Sequence, residues 1–75
     1  MKNYIVIEVQ TDGGVTSTLS YQYDNLAEAR QKYYLILSVA VVSTIDNHAA
    51  LIVDEDGYLI MNESFHHDKP EPDNT

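Results

Sequence analysis

Apolar positions along this chain follow two different periods, and the switch between them marks out the elements. Over residues 3–11, NYIVIEVQT, β-branched residues dominate with a period of two, which predicts a strand. Ile5, Ile7 and Val9 then share one face, and Tyr4, Val6, Glu8 and Gln10 the other. Asp12, Gly13 and Gly14 read as a tight turn, because glycine adopts positive φ without a steric penalty. Residues 15–23, VTSTLSYQY, return as a second strand with Val15, Ser17, Leu19, Tyr21 and Tyr23 on one face. The first third of the chain is therefore a β-hairpin.

At Leu26 the period changes. Leu26, Ala29, Tyr33, Ile36 or Leu37, and Ala40 recur at helical spacing and define a core stripe. Asn25 is a suitable N-cap, and Glu28 three residues later completes a capping box; Asp24 is the competing cap. Glu28, Arg30, Gln31 and Lys32 form a polar face, with Glu28 and Lys32 at the favourable i,i+4 spacing. From Tyr33 onward that face vanishes, and YYLILSVAVVST, residues 33–44, carries no charge. Tyr34, Leu35, Val39, Val41 and Val42 surround the axis together with the core stripe. A helix that is apolar all round needs cover all round. A buried strand over residues 39–44 is the alternative, although Ser43, Thr44, Asp46 and Asn47 make a sensible helix exit.

A second hairpin follows, with strands over residues 48–54 and 58–65 and a turn over 55–57. The order is ββαββ. It predicts an α+β fold: a four-stranded, mostly antiparallel sheet built from two hairpins, with one helix packed on one face. The first strand can lie beside the fourth, or the second beside the third. Residues 1–66 make a single domain, and 67–75 read as a disordered, acidic, proline-containing tail.

One sheet covers one side of the helix only. Tyr34, Leu35, Val39 and Val42 are therefore expected at an oligomer interface. The sheet strands also carry apolar residues in both directions, more than a solvated outer face needs. Tyr4, Val6, Tyr58 and Ile60 are expected on this second contact surface. A short chain supports the same view: a core of 75 residues gives marginal stability, and chains of this size often rely on a staple or a partner. With no cysteine there is no disulfide, so self-association into a dimer or larger assembly is the expected route.

Charge narrows the partners. Twelve acidic residues against four basic ones leave a net charge of −8. Lys2, Arg30, Lys32 and Lys69 form no basic patch for phosphates, so neither direct nucleic-acid binding nor an anionic membrane is expected. No apolar run reaches the ~20 residues of a membrane span, and no signal region opens the chain, which predicts a soluble cytoplasmic protein. A partner with a basic surface is the natural complement, met by Glu8, Asp12, Asp54, Glu55 and Asp56.

Candidate chemistry is sparse. His48, His66 and His67 stand at no recognised ligand spacing, and DEDG at residues 54–57 is only a fragment of a calcium loop, so no metal or other cofactor is expected. TDGG lacks the lysine and helix of a phosphate loop. No Ser/His/Asp spacing is interpretable. Glu8, on a mostly apolar strand, is the carboxylate placed to be partly buried and to titrate unusually. Arg30 and Lys32 read first as helix-surface cations; repeated about an oligomer axis, they would line a pocket for a small anion. No enzyme is expected.

YIVIEVQTDGG, AEARQKYYLILSVAVVS and EDGYLI resemble a group of small proteins encoded by bacteriophages and prophages, over roughly residues 3 to 65. The resemblance implies a phage-encoded protein, either an inhibitor of a host defence protein or an accessory part of the virion. The expected function is thus that of a non-enzymatic acidic inhibitor working through its charge and its apolar patches. A structural homo-oligomer and an oligomeric sequestrator of a small anion are the alternatives.

Overall fold

The computed structural model describes residues 2–67, which fold as β1 (Tyr4–Asp12), β2 (Val15–Tyr23), α1 (Leu26–Ala40), β3 (Asn47–Asp54) and β4 (Leu59–His66). Gly13 and Gly14, with φ of 59° and 81°, close the first hairpin in the positive-φ turn that matches strand twist. Asn25 caps α1: its side-chain oxygen accepts from the Glu28 backbone N–H at 2.8 Å, which fixes the start one residue beyond Asp24. The helix ends at Ala40 and the valines after it form a turn rather than a strand.

The strands form one antiparallel sheet in the order β2-β1-β3-β4. Neither expected neighbour pairing occurs: β1 lies beside β3. The physical reason is visible in the strands. β1 and β3 are the two most apolar and become the centre, whereas the polar β2 and the bulged β4 take the edges. The helix therefore links two parallel strands, β2 and β3, across the intervening β1.

Register decides which side chains meet the helix. Val6 on β1 and Ala50 and Ile52 on β3 pack against Ala29, Tyr33 and Ile36 of α1, with Tyr4, Tyr21, Tyr23, Leu37, Ile60 and Met61 around them. On β3 the alternation is strict: His48, Ala50, Ile52 and Asp54 are buried on the helix side, and Asn47, Ala49, Leu51 and Val53 are partly exposed on the other. This corrects the surface expected behind the sheet. Val6 is fully buried in the chain's own core, and Tyr4 and Ile60 pack against that core. Tyr58 lies exposed in the turn before β4. A bulge at Ile52/Val53 pairs Val53 with Leu59, so the residues that share the open face are Ile5, Ile7, Val9, Leu51, Val53 and Leu59.

The domain also runs one residue further than expected. The His67 N–H donates to the Asp46 carbonyl at 2.8 Å, and its Nε2 donates to the Ala40 carbonyl at 2.6 Å, satisfying an orphan acceptor at the helix C-terminus. The remainder of the expected tail lies outside the described residues. Among the described residues, no helix is long and apolar enough to cross a membrane.

Candidate functional site

Two surfaces and one buried cluster carry the residues that composition and pattern singled out. The first surface is the outer face of α1. Its inner face is filled by Ala29, Tyr33, Ile36 and Ala40, while Tyr34, Leu35, Val39 and Val42 are 55%, 57%, 55% and 77% exposed. Of these, Val42 lies in the turn just past the helix end, where Val41 joins it. Tyr34 is held by an edge-to-face contact with Tyr33, with ring centroids 5.2 Å apart, so it offers a pre-set aromatic anchor. Along one flank an open groove of about 520 Å³ is lined by Tyr23, Glu28, Gln31, Lys32, Tyr34 and Leu35.

Lys32 is half-buried with its ammonium 4.1 Å from the Tyr21 ring centroid, a cation–π contact that ties the helix to the edge strand. Arg30 is exposed two residues away, which places it on the opposite flank of the helix. One protomer therefore does not bring the two cations to a common anion.

The second surface is the open face of the sheet. Strand pairing sets Ile5 opposite Val53, Ile7 opposite Leu51 and Val9 opposite Ala49, giving a central apolar stripe. Thr16, Thr18, Ser20 and Gln22 border it on β2, and Asn62, Ser64 and His66 on β4. By this register, no Asp, Glu, Lys or Arg side chain of the four strands lies on that face. An apolar centre inside an uncharged polar rim is the anatomy of a protein interface.

The expected acidic surface is not one patch. Asp12 lies at the far end of β1, where its carboxylate accepts from the Asp46 N–H at 3.3 Å. Asp54 pairs with Tyr4 at the near end, roughly 27 Å away at about 3.4 Å per residue. Glu8 and Asp54 also face inward, so neither is presented to a partner. Asp54 is buried, accepts from the backbone N–H groups of Asp56 and Tyr58 at 2.9 and 3.0 Å, and meets Lys2 at 3.4 Å. Burial pushes its carboxyl upward, but those two N–H groups and Lys2 more than offset this and hold it below its ordinary value. The same contact raises the Lys2 ammonium. Glu55 and Asp56 are the exposed carboxylates of this turn, with Glu55 accepting from the Asn3 N–H at 2.6 Å.

The buried cluster was not legible from spacing. His48 is 2% exposed, and its Nε2 donates to the Glu8 carboxylate at 2.5 Å. The same carboxylate oxygen accepts from Gln10 at 2.9 Å, and His48 Nδ1 faces the Ser43 hydroxyl at 3.3 Å. Burial raises the Glu8 carboxyl, yet hydrogen bonds from His48 and Gln10, with the charges of His48 and Lys32, leave it net lowered. Glu8 is thus partly buried, as expected, with the balance of these effects directed downward.

Carboxylate, imidazole and hydroxyl stand in line, the order used for nucleophile activation. The surroundings oppose that chemistry. The imidazole is sealed from solvent, and Ser43 follows a helix C-terminus, whose negative dipole end disfavours a developing oxyanion. What the cluster does is tie the exit of α1 to the two central strands. Among the described residues, no three His, Asp or Glu side chains gather as a metal site. Compared with known proteins, the chain matches no family model, no curated protein and no solved structure.

Proposed function

We propose that this chain is a non-enzymatic binding protein, phage- or prophage-encoded, that inhibits a host protein by covering part of its surface. One observation carries the reading: four large apolar side chains, Tyr34, Leu35 and Val39 on the helix and Val42 in the turn that follows it, stand exposed beside an inner helix face that is already filled. Such a patch, beside a groove with an aromatic wall, is the form of an anchor site for a partner protein. Glu55, Asp56 and the remaining carboxylates give the approach its negative field, which favours a partner with basic residues around an apolar patch. The origin rests on the resemblance to small phage proteins.

The test is capture from bacterial lysate on the immobilised chain. A retained protein should be lost with Leu35→Asp/Val39→Asp and kept with Ile7→Thr. Absence of any retained protein, or equal retention by the helix variant, would overturn the reading. The second reading, a structural homo-oligomer of a virion, is favoured by the uncharged sheet face. Presence of the chain in purified particles would select it. An oligomeric anion sequestrator requires Arg30 and Lys32 from different protomers to converge; nucleotide calorimetry with Arg30→Ala tests that requirement.

A further inference from the structure

We propose that the open face of the sheet is a homodimer seam, on which a second copy of this chain packs sheet to sheet. This goes beyond the binding role above and uses a different surface.

Charge selects the occupant. A second copy also carries −8, so two copies approach closely only where both lack carboxylates. By register, the acids of the strands lie on the other side of the sheet: Glu8 and Asp54 turn toward the helix with Val6 and Ile52, and Glu63 pairs with Ala50 on that side. Asp24, Glu28, Glu55 and Asp56 belong to α1 or to loops. A basic partner would be drawn to those positions, not to the neutral face. An identical acidic chain is the partner this face suits.

Shape agrees. Ile5, Ile7, Val9, Leu51 and Val53 occupy the two central strands, with Leu59 (58% exposed) extending the stripe at one end. A two-fold axis through the Ile7–Leu51 pair lays each stripe on its copy and the hydroxyls and amides of each rim around it, a self-complementary contact. Sheets stacked ~10 Å apart with aligned strands are the ordinary packing of β-sandwiches. Eight-residue strands at ~3.3 Å per residue and four strands at ~4.8 Å make a face of roughly 500 Å². Both copies together bury roughly 1,000 Å², the lower bound for a specific interface. The dimer is therefore reversible, and it covers apolar surface that the small core leaves behind.

Sedimentation equilibrium of the full chain, from micromolar to millimolar, tests the proposal. The mass should rise from 8.5 kDa toward twice that value. Added salt should strengthen the association, because it screens repulsion between like-charged copies. Leu51→Asp should weaken the dimer by roughly a hundredfold, since it sets an unpaired charge in an apolar seam. Leu51→Thr, which suits a strand, should weaken it without disturbing the fold, as read by circular dichroism. Val42→Asp, in the turn that follows α1, should leave the mass unchanged. A chain that stays monomeric at millimolar concentration in high salt overturns the proposal, as does dissociation by Val42→Asp but not by Leu51→Thr. Failure of the unmodified chain to retain any lysate protein, with the dimer intact, would instead strike the binding role alone.

Discussion

Glu8, bonded to His48, ties the fold to pH at the scale of a single side chain. Glu8 is held below its ordinary value in the folded chain, so its contribution is fully present above the unfolded value of about 4.3 and is lost as pH falls through the folded value. Asp54 acts with the same sign. Thermal midpoints should therefore be steady near neutrality and drop on acidification below about pH 4; a flat profile between pH 6 and pH 3 would show that these contacts do not stabilise the fold. Removing the imidazole leaves a half-buried carboxylate without its strongest donor. His48→Ala should cost about 2–3 kcal/mol in urea unfolding at pH 7. Of this cluster the sequence showed Glu8, through its place on an apolar strand. His48 lies 40 positions away and only the β1–β3 register brings it to Glu8, while Ser43 reaches the cluster through His48, five residues on.

Elements obeyed their local signals closely, because those signals are local. Capping at Asn25, positive φ at Gly13 and Gly14, and period-two or helical spacing each depend on neighbours within a few residues. Two substitutions measure this. Asn25→Ala should destabilise by about 1 kcal/mol through loss of the bond to the Glu28 N–H. Gly13→Ala forces a Cβ into the left-handed region and should cost about 1 kcal/mol, read by the same unfolding curves. A β-branched replacement there would cost more. Strand order was less visible, since pairing is a contest among all four strands. Burial preference was the usable clue: β2, with Thr16, Ser17, Thr18 and Ser20, suits an edge, and β1 and β3 suit the middle.

For the assembled domain, the governing quantity is apolar surface without cover. Seven hydrophobic residues are buried among those described, while nine large ones are exposed and a further stripe lies open on the sheet. The expectation for the helix and the expectation for the sheet fared differently. Tyr34, Leu35, Val39 and Val42 do lie outside the core, because a single sheet reaches only one side of a helix. Val6 does not, because register gave its face to the helix and left Ile5, Ile7 and Val9 outside. The two surfaces predict separable behaviour: sheet-face variants change mass, and helix-face variants change partner capture.

Composition and periodicity were enough to establish an α+β domain of ββαββ order, its turns and caps, its acidity and its excess of greasy side chains. Each of these follows from propensity, spacing or a sum over residues, and needs no knowledge of which strands meet. Pairing β1 with β3 settled everything else: which apolar set was buried, that Glu8 and Asp54 turned inward, and that the acids of the strands were kept to one side of the sheet. A shift of one residue would exchange the two faces, so these outcomes belong to long-range register and to the helix lying over it.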